Sequence, residues 1–210
     1  MTTAIVGVGH IGSTVARLLV AGGESVILAA KGTERPQALA SELGPLARAA
    51  SVKDAISGAD TVVLAVMFGT AQELVPKYAH LLAGKVVIDP TNPIAFDEKG
   101  QMTRLLPDGQ SAGSVVAGLL PPGAHYVKAF ASFLAQALAD GASREPKRAA
   151  LIYAADGDAA AKAAEQLIRT AGYEPVKAGG VAAARRIEAG GDLQFGGEPV
   201  DPDRARGALN

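Results

Sequence analysis

Cysteine and tryptophan are absent from this chain of 210 residues, and aromatic residues make up only 4% of it. The lack of cysteine excludes disulfides, thiolate metal sites and a thiol nucleophile. Hydrophobic residues still make up 49% of the sequence, so alanine, valine and leucine must fill the core. A chain of this length can form one large domain, or a domain with a small appendage.

Neither an excess of charge nor a long apolar run is present. The formal net charge is −1, whereas a nucleic-acid surface needs clustered Lys and Arg, so we expect no nucleic-acid partner. No apolar stretch approaches the length of about 20 residues that a membrane-spanning helix needs. The N terminus shows no signal-peptide pattern. We therefore expect a cytoplasmic protein without a membrane partner.

A glycine-rich turn follows the first predicted strand. Gly7, Gly9 and Gly12 have the spacing G-x-G-x-x-G, with an apolar run before them and apolar residues at helical spacing after them. In a dinucleotide site the first glycine permits a tight turn, the second lets the backbone approach the pyrophosphate, and the third lets the helix pack closely. The motif predicts that these glycines, with His10 and Ile11, bind a pyrophosphate through backbone groups. The alternative is a glycine-rich turn without a ligand.

The end of the second predicted strand, residues 25–29, indicates which dinucleotide to expect. An NAD site places Asp or Glu there, to bind the 2′-hydroxyl of the ribose. This chain instead has Lys31, Thr33 and Arg35, which can donate hydrogen bonds to a 2′-phosphate. We therefore predict NADP rather than NAD. The alternative is an ordinary solvated loop.

Strand and helix patterns alternate along the rest of the chain. They predict an α/β protein with a Rossmann-type, doubly wound, mostly parallel sheet and a small C-terminal α/β extension. We place an NADP-binding domain at residues 1–127, and a small C-terminal domain that completes the active-site crevice at residues 128–210. A single helix is expected over residues 71–82, a polar surface excursion over 96–113 and an irregular tail over 190–210. Asp156 is expected to cap the helix that follows it.

Two more predicted strands end in residues that suit a ligand crevice, because the carboxyl ends of the strands face the ligand in a doubly wound sheet. Val66, Met67 and Phe68 follow one of them, and Phe68 either covers the cofactor or fills the core. Thr91 and Asn92 follow the next, between two prolines. They either form only a turn or offer hydrogen bonds near the nicotinamide. We predict all five as cofactor contacts.

No nucleophile elbow, metal-ligand cluster or acid–base pair is recognisable in the sequence, and we predict no metal site. Hydride transfer between two bound cofactors requires none of these, because the cofactors supply the chemistry and the protein orients their rings. An alcohol or keto-acid dehydrogenase would need a proton donor near the carbonyl. The residues present therefore favour hydride transfer between cofactors.

Several segments carry a family resemblance: residues 4–12, 62–66, 89–93 and 127–130, followed by residues 174–179 and 185–188. In this order they resemble the NADPH-dependent reductases of the deazaflavin coenzyme F-420, especially the bacterial branch. The resemblance implies a homodimer and reversible hydride transfer between NADP(H) and the deazaflavin. The chain departs from the family pattern at Ala131, where Asn is usual, at the Met67–Phe68 pair and at Ala30–Lys31.

By this resemblance, Phe68, Asn92, Lys128, Ala131 and Ser132 frame the hydride-transfer site, although none of them is assigned as an acid or base. Two further functions stay open. One is that of a related NADPH-dependent reductase that uses a flavin, quinone, imine or ferric complex as acceptor. The second is that of a module that senses NADP(H) without catalysis.

Overall fold

A computed structural model describes residues 1–209, apart from the side chain of Phe96. The strands are β1 (Thr2–Val6), β2 (Ser25–Ala29), β3 (Ala47–Ala49), β4 (Thr61–Leu64), β5 (Val86–Asp89), β6 (Ile94–Phe96), β7 (Met102–Arg104), β8 (His125–Lys128), β9 (Ala150–Ala155) and β10 (Glu174–Gly179). The helices are α1 (His10–Ala21), α2 (Glu34–Leu43), α3 (Val52–Ser57), α4 (Phe68–Lys77), α5 (Ala79–Leu82), α6 (Ala112–Leu119), α7 (Ala135–Gly141), α8 (Asp158–Thr170), α9 (Ala184–Ile187) and α10 (Pro202–Gly207). Short 3₁₀ turns cover Gly44–Leu46, Val181–Ala183 and Asp192–Gly197.

The main sheet has the order β10-β9-β8-β5-β4-β1-β2-β3. All neighbouring strands in it are parallel except β8 and β9, which are antiparallel. From β1 the chain first builds outward through β2 and β3, and then crosses back to place β4 on the other side of β1. This is the order of a Rossmann-type doubly wound sheet, so the predicted fold class is confirmed.

Successive residues of the central strands pack on opposite faces of the sheet. Ile5 and Val63 belong to the core cluster on one face, and Ala4 and Val62 to the cluster on the other. All four are completely buried, as expected for parallel strands that helices cover on both sides. The carboxyl edge of the strands is therefore the accessible place for a ligand.

In the C-terminal tail, the prediction of an irregular segment over residues 190–210 is wrong for Pro202–Gly207, which form α10, whereas Asp192–Gly197 form a kinked 3₁₀ segment. Leu193, Val200 and Ala205 are buried in a third core cluster against β9 and β10. The carboxylate of Asp201 caps α10 by accepting the N–H groups of Asp203 and Arg204. The apolar residues that build this packing are too widely spaced to belong to one helix or strand. Local periodicity in the sequence therefore could not predict it.

Three more local predictions need correction. The helix expected over residues 71–82 is two helices that meet at Tyr78, shortly after Pro76, which cannot donate a helical hydrogen bond. The expected surface excursion is largely exposed over residues 97–110, as predicted, but it also contains β7, which pairs with β6 just before it, and the start of α6. The N-cap position of α8 is Gly157, so no side chain caps this helix, and Asp156 instead accepts the N–H of Val181 at 3.2 Å. Helix α7 was not predicted.

The eight-stranded sheet continues across the domain boundary predicted between residues 127 and 128, since β8 pairs with β9. Residues 128–209 thus extend the sheet of the N-terminal part. None of the helices in the described part of the chain combines the length and apolar character needed to cross a membrane.

Candidate functional site

The turn between β1 and α1 has a backbone that only glycine permits. Gly7 has a φ of +100°, and a Cβ atom there would lie 2.1 Å from the carbonyl oxygen of Ala65. A Cβ at Gly12 would lie 1.9 Å from the carbonyl oxygen of Gly7. At Gly9, by contrast, no described atom lies within 4 Å of such a Cβ. The first and third glycines therefore serve packing, whereas the second faces open space where a ligand can approach the backbone.

The N terminus of α1 suits an anion. Gly9 is its N-cap residue and offers no side-chain acceptor to the first N–H groups, and the first turn contains no acidic residue. His10, the first residue of the helix, is exposed. The first N–H groups and the positive end of the helix dipole are thus free of competing side-chain oxygens. A pyrophosphate fits this position, which lies at the point where the sheet reverses its direction of growth.

The predicted 2′-phosphate contacts lie at the neighbouring strand end. Lys31, Thr33 and Arg35 follow β2, which pairs with β1, and all three are exposed. Thr33 is the N-cap residue of α2, but its hydroxyl makes no capping bond. Two cations and a hydroxyl thus follow the strand that pairs with β1, where the sequence predicts the contacts to a 2′-phosphate.

The end of β4 resolves the two interpretations of Phe68. Its side chain is only 3% exposed and packs in the core cluster with Ala71 and Val75 of the same helix. It fills the core and does not cover the crevice. Met67, next to it, is 57% exposed and is the large apolar side chain available at this strand end. Val66 is half-buried.

Thr91 and Asn92, at the end of β5, are engaged within the protein. The N–H of Thr91 donates to the carboxylate of Asp89 at 2.8 Å. The amide of Asn92 donates from Nδ2 to the carbonyl oxygen of Ala131 at 2.9 Å, and its Oδ1 accepts the N–H of Ala189 at 2.7 Å. Asn92 and Ala131 are both predicted to frame the hydride-transfer site. The structure brings them together through a hydrogen bond between the two residues.

Lys128 lies beneath the site and not on its surface. Its side chain is completely buried, with Nζ 3.2 Å from Oδ2 of Asp89 and 3.5 Å from Oε1 of Glu188, and it also donates to the carbonyl oxygen of Thr91. The prediction that Lys128 itself borders the hydride-transfer site therefore needs correction. Its ammonium group is surrounded by carboxylates because a buried cation must be paired.

Asp89, Tyr126 and Glu188 complete this buried charge network, and sequence reasoning did not identify them. The hydroxyl of Tyr126 donates to Oδ2 of Asp89 at 2.6 Å. Burial and the neighbouring Asp89 carboxylate hold the pKa of Tyr126 well above its ordinary value. The N–H of Gly113, in the first turn of α6, donates to Oε1 of Glu188 at 2.8 Å. The sequence did contain one signal for this network. Each of the apolar strands β5 and β8 ends in a single charged residue, Asp89 and Lys128 respectively.

The segment after β8 is tightly packed. Ala131 and Ser132 are 3% and 2% exposed, and the hydroxyl groups of Ser132 and Thr91 have no hydrogen-bond partner among residues 1–209. Phe130, which is completely buried, has a φ of +60°. A bulky residue in this conformation indicates a backbone that its surroundings hold under strain, which is frequent at functional sites.

Comparison with known proteins finds a related family and several relatives. Residues 2–93 match the model of the family described as NADP oxidoreductase, coenzyme F-420-dependent. The match covers a little less than half of the chain and shows that these residues are similar to the family. This family consists of NADP-dependent oxidoreductases, and the matched residues include β1, the glycine turn, the end of β2 and the segment from Thr91 to the second proline.

Other known proteins are similar to most of the chain, and not only to residues 2–93. Rat metalloreductase STEAP3 (Rattus norvegicus) is 31% identical over 185 residues, which cover 88% of this chain but only 35% of that protein. The chain thus spans about a third of the length of this relative. The solved structure of a hypothetical protein from Sinorhizobium meliloti is 28% identical, with a TM-score of 0.80 and 91% of each chain covered.

A protein from Arthrobacter sp. FB24, described as a proposed F-420-dependent NADP reductase, shares the fold. The two structures have a TM-score of 0.73 at 23% identity, with 87% of this chain and 86% of the other covered. The similarity extends well beyond the family segment, so β8, β9 and β10 belong to the shared architecture.

Proposed function

We propose that this protein is an oxidoreductase that transfers a hydride between NADP(H) and the deazaflavin coenzyme F-420. The observation that carries the proposal is the N terminus of α1, where an uncapped helix start and the open face of Gly9 meet. This arrangement favours a pyrophosphate through backbone N–H groups and the helix dipole. The exposed Lys31 and Arg35 beside it favour the nucleotide that carries a 2′-phosphate.

The protein's own contribution to such a reaction is binding and orientation. When bound, NADPH supplies a hydride and becomes NADP⁺, while the acceptor gains the hydride and a proton from water. The glycine turn holds the diphosphate, and the ends of β4, β5 and β8 border the space for the reacting rings. Holding two rings face to face can lower a barrier by about 7–11 kcal/mol, without an acid or base from the protein.

The deazaflavin acceptor is supported by the description of the family that residues 2–93 match. A second candidate, an NADPH-dependent reductase of a ferric complex, is favoured by the similarity to rat metalloreductase STEAP3. Two further candidate functions are open. One is a reductase that uses a flavin, a quinone or an imine as acceptor, and the other is a module that binds NADP(H) without turnover. We place the deazaflavin first because the description of the family names coenzyme F-420, whereas the match to the metalloreductase covers only 35% of that protein.

Anaerobic stopped-flow kinetics separate these candidates. The purified protein is mixed with NADPH and, in parallel experiments, with F-420, FAD, a soluble quinone, a cyclic imine and ferric citrate. We expect oxidation of NADPH with F-420, together with bleaching of the deazaflavin absorbance. Turnover only with another acceptor would replace the deazaflavin with that acceptor. NADPH binding with no turnover in any mixture would support the sensing module instead.

A homodimer and a cytoplasmic location stay predictions. Light scattering coupled to size-exclusion chromatography tests the first, since a dimer doubles the mass of 21.2 kDa that the chain has alone.

A further inference from the structure

The C-terminal part of the chain reaches the carboxyl edge of the sheet, where hydride transfer is proposed. We name residues 188–197 the C-terminal strap. Its first two residues, Glu188 and Ala189, are buried. Further along, a Cβ atom at Gly197 would lie 3.8 Å from the carbonyl oxygen of Ser132, so the strap runs directly beside the segment that follows β8.

One planar amide connects this strap to two strand ends. Asn92 follows β5, and its Nδ2 donates to Ala131, which follows β8, at 2.9 Å. Its Oδ1 accepts the N–H of Ala189 in the strap at 2.7 Å. Opposite ends of the amide are thus committed to two separate chain segments, which fixes both its rotamer and its orientation. The Asn92 side chain therefore holds two backbone segments in place, one at Ala131 and one at Ala189.

The strap is also fixed at the residue before Ala189. Glu188 is completely buried, accepts the N–H of Gly113 at 2.8 Å and lies 3.5 Å from Nζ of Lys128. Because no part of these two side chains is exposed, they act on the site only through the backbone that they hold. Two successive strap residues are therefore anchored to different elements of the sheet's carboxyl edge.

The rest of the strap has a defined path. Phe195 has a φ of +51°, followed by Gly196 at +67° and Gly197 at +85°. A non-glycine residue in this region keeps its conformation only where its surroundings determine it. Here the guanidinium of Arg204 lies 5.3 Å from the centre of the Phe195 ring, and Leu193 is completely buried in the third core cluster. The strap is an integral part of the packing.

We propose that Asn92 is a positioning residue, whose amide holds the C-terminal strap as the wall of the acceptor half of the crevice. From β1, which carries the pyrophosphate turn, the sheet order runs through β4 and β5 to β8, where the strap lies. A dinucleotide that extends across this edge directs its nicotinamide toward the strap. The acceptor ring must fit between the two, so the position of the strap sets the distance over which the hydride moves. This inference rests on the proposed hydride transfer.

Two variants and their combination test it. Asn92→Leu removes both hydrogen bonds with a side chain of similar size. Leu193→Ala leaves Asn92 intact but opens a cavity under the strap, at a residue that is completely buried in the third core cluster. Tyr173→Phe is the matched control, because it removes a hydroxyl bond to the carbonyl oxygen of Leu138, a bond in which no strap residue takes part. For each protein we would measure the thermal midpoint, the Kd for NADPH, the acceptor KM and the single-turnover rate with the acceptor that the wild type uses.

We expect Asn92→Leu and Leu193→Ala each to slow hydride transfer about 10- to 100-fold, the loss expected for a misplacement of roughly 1 Å. The acceptor KM should rise, while the Kd for NADPH stays that of the wild type. The double variant should lose little more than the slower single variant, because both act through the strap. Tyr173→Phe should keep the wild-type rate at a comparable thermal midpoint.

If the fold-loss of the double variant equals the product of the two single fold-losses, the proposal is overturned, because Asn92 would then act independently of the strap. A wild-type rate in Asn92→Leu would overturn it as well. If Asn92→Leu does not fold, Leu193→Ala decides: a slowed transfer with intact NADPH binding supports the proposal, and a wild-type rate overturns it. A wild-type protein that transfers hydride to no acceptor would overturn the proposed function and this inference together.

Discussion

Lys128 and Asp89 are register partners in the paired strands β8 and β5, and their charged groups lie 3.2 Å apart with neither side chain exposed. Burial of an ion pair is unfavourable unless further groups complete it. Here Tyr126 and Glu188 do so, and the partners of this network hold Thr91, α6 and the C-terminal strap. The edge of the sheet that borders the proposed site is therefore a rigid, charge-linked frame.

Removal of the central cation should unfold this frame. Lys128→Met keeps the apolar part of the side chain but leaves Asp89 buried without its cation, and leaves Glu188 with only the Arg104 cation, 3.9 Å away. We expect a loss of about 3–5 kcal/mol in the free energy of unfolding, as is usual when one partner of a buried ion pair is removed. Urea denaturation measures it.

Two further variants make this stability test specific. Lys147→Met should leave the urea midpoint nearly unchanged, because Lys147 and Asp203 form an exposed pair. Neutralising the two carboxylates in the Lys128→Met background, with Asp89→Asn and Glu188→Gln, should recover part of the lost stability. A Lys128→Met protein as stable as the wild type would show that the network contributes nothing.

The third glycine of the turn should contribute to the stability of the fold. In Gly12→Ala the new Cβ would lie 1.9 Å from the carbonyl oxygen of Gly7, a backbone atom that cannot move without opening the turn. Overpacking of this kind typically destabilises by about 1–3 kcal/mol. Thermal unfolding followed by circular dichroism checks this, and an unchanged midpoint would mean that α1 does not pack as closely as described.

Alkaline pH should destabilise the protein through its buried tyrosines. Burial, and for Tyr126 the Asp89 carboxylate, raises the pKa of Tyr126, Tyr153 and Tyr173 above the ordinary value. The folded state then keeps protons that the unfolded chain loses above about pH 10, so stability is retained below that pH and falls above it. For Tyr126 the slope is about 1.4 kcal/mol per pH unit.

Urea midpoints measured from about pH 9 to 11, with phenolate absorbance as a second signal, test the tyrosine prediction. Tyr126→Phe should have a shallower decline than the wild type, because one of the three shifted groups is gone. Stability that stays level through this range, or a decline identical in the variant, would contradict it.

The choice between NADPH and NADH should depend on Arg35. Its exposed guanidinium follows β2, where a 2′-phosphate is expected. Loss of one charge-assisted hydrogen bond in Arg35→Ala should weaken NADPH binding by roughly 1.5–3 kcal/mol and leave NADH binding unchanged. Lys77→Ala removes the same charge at the far end of α4 and is the control. Equal effects of Arg35→Ala on both nucleotides would make Arg35 an ordinary surface residue.

The nucleotide half of the molecule could be predicted from the sequence because its determinants are local. Gly7, Gly9 and Gly12 lie within one turn, and the structure reproduces the steric requirement predicted for the first and the third of them. The order of the strands follows from the same β-α-β pattern. Phe68 could not be decided in this way, because a residue at the start of a helix can face the core or the crevice with the same neighbours in sequence.

The acceptor half could not be predicted, because its contacts join distant parts of the chain. Asp89 and Lys128 are 39 residues apart, and Asn92 and Ala189 are 97 apart. Periodicity in the sequence indicates which face of an element is buried, but not which strand end meets which turn. A charged residue that closes an apolar strand was the one local sign of this network.

The most direct test of the proposed dinucleotide site is calorimetric titration of NADPH into the wild-type protein and into Gly9→Ala. The added Cβ meets no described atom within 4 Å, so the variant should fold like the wild type, but it fills the space that the diphosphate needs. We predict saturable NADPH binding by the wild type and a large loss of affinity in Gly9→Ala at an unchanged thermal midpoint. No binding by the wild type, or equal affinity in the two proteins, would contradict the central claim that the N terminus of α1 holds the dinucleotide.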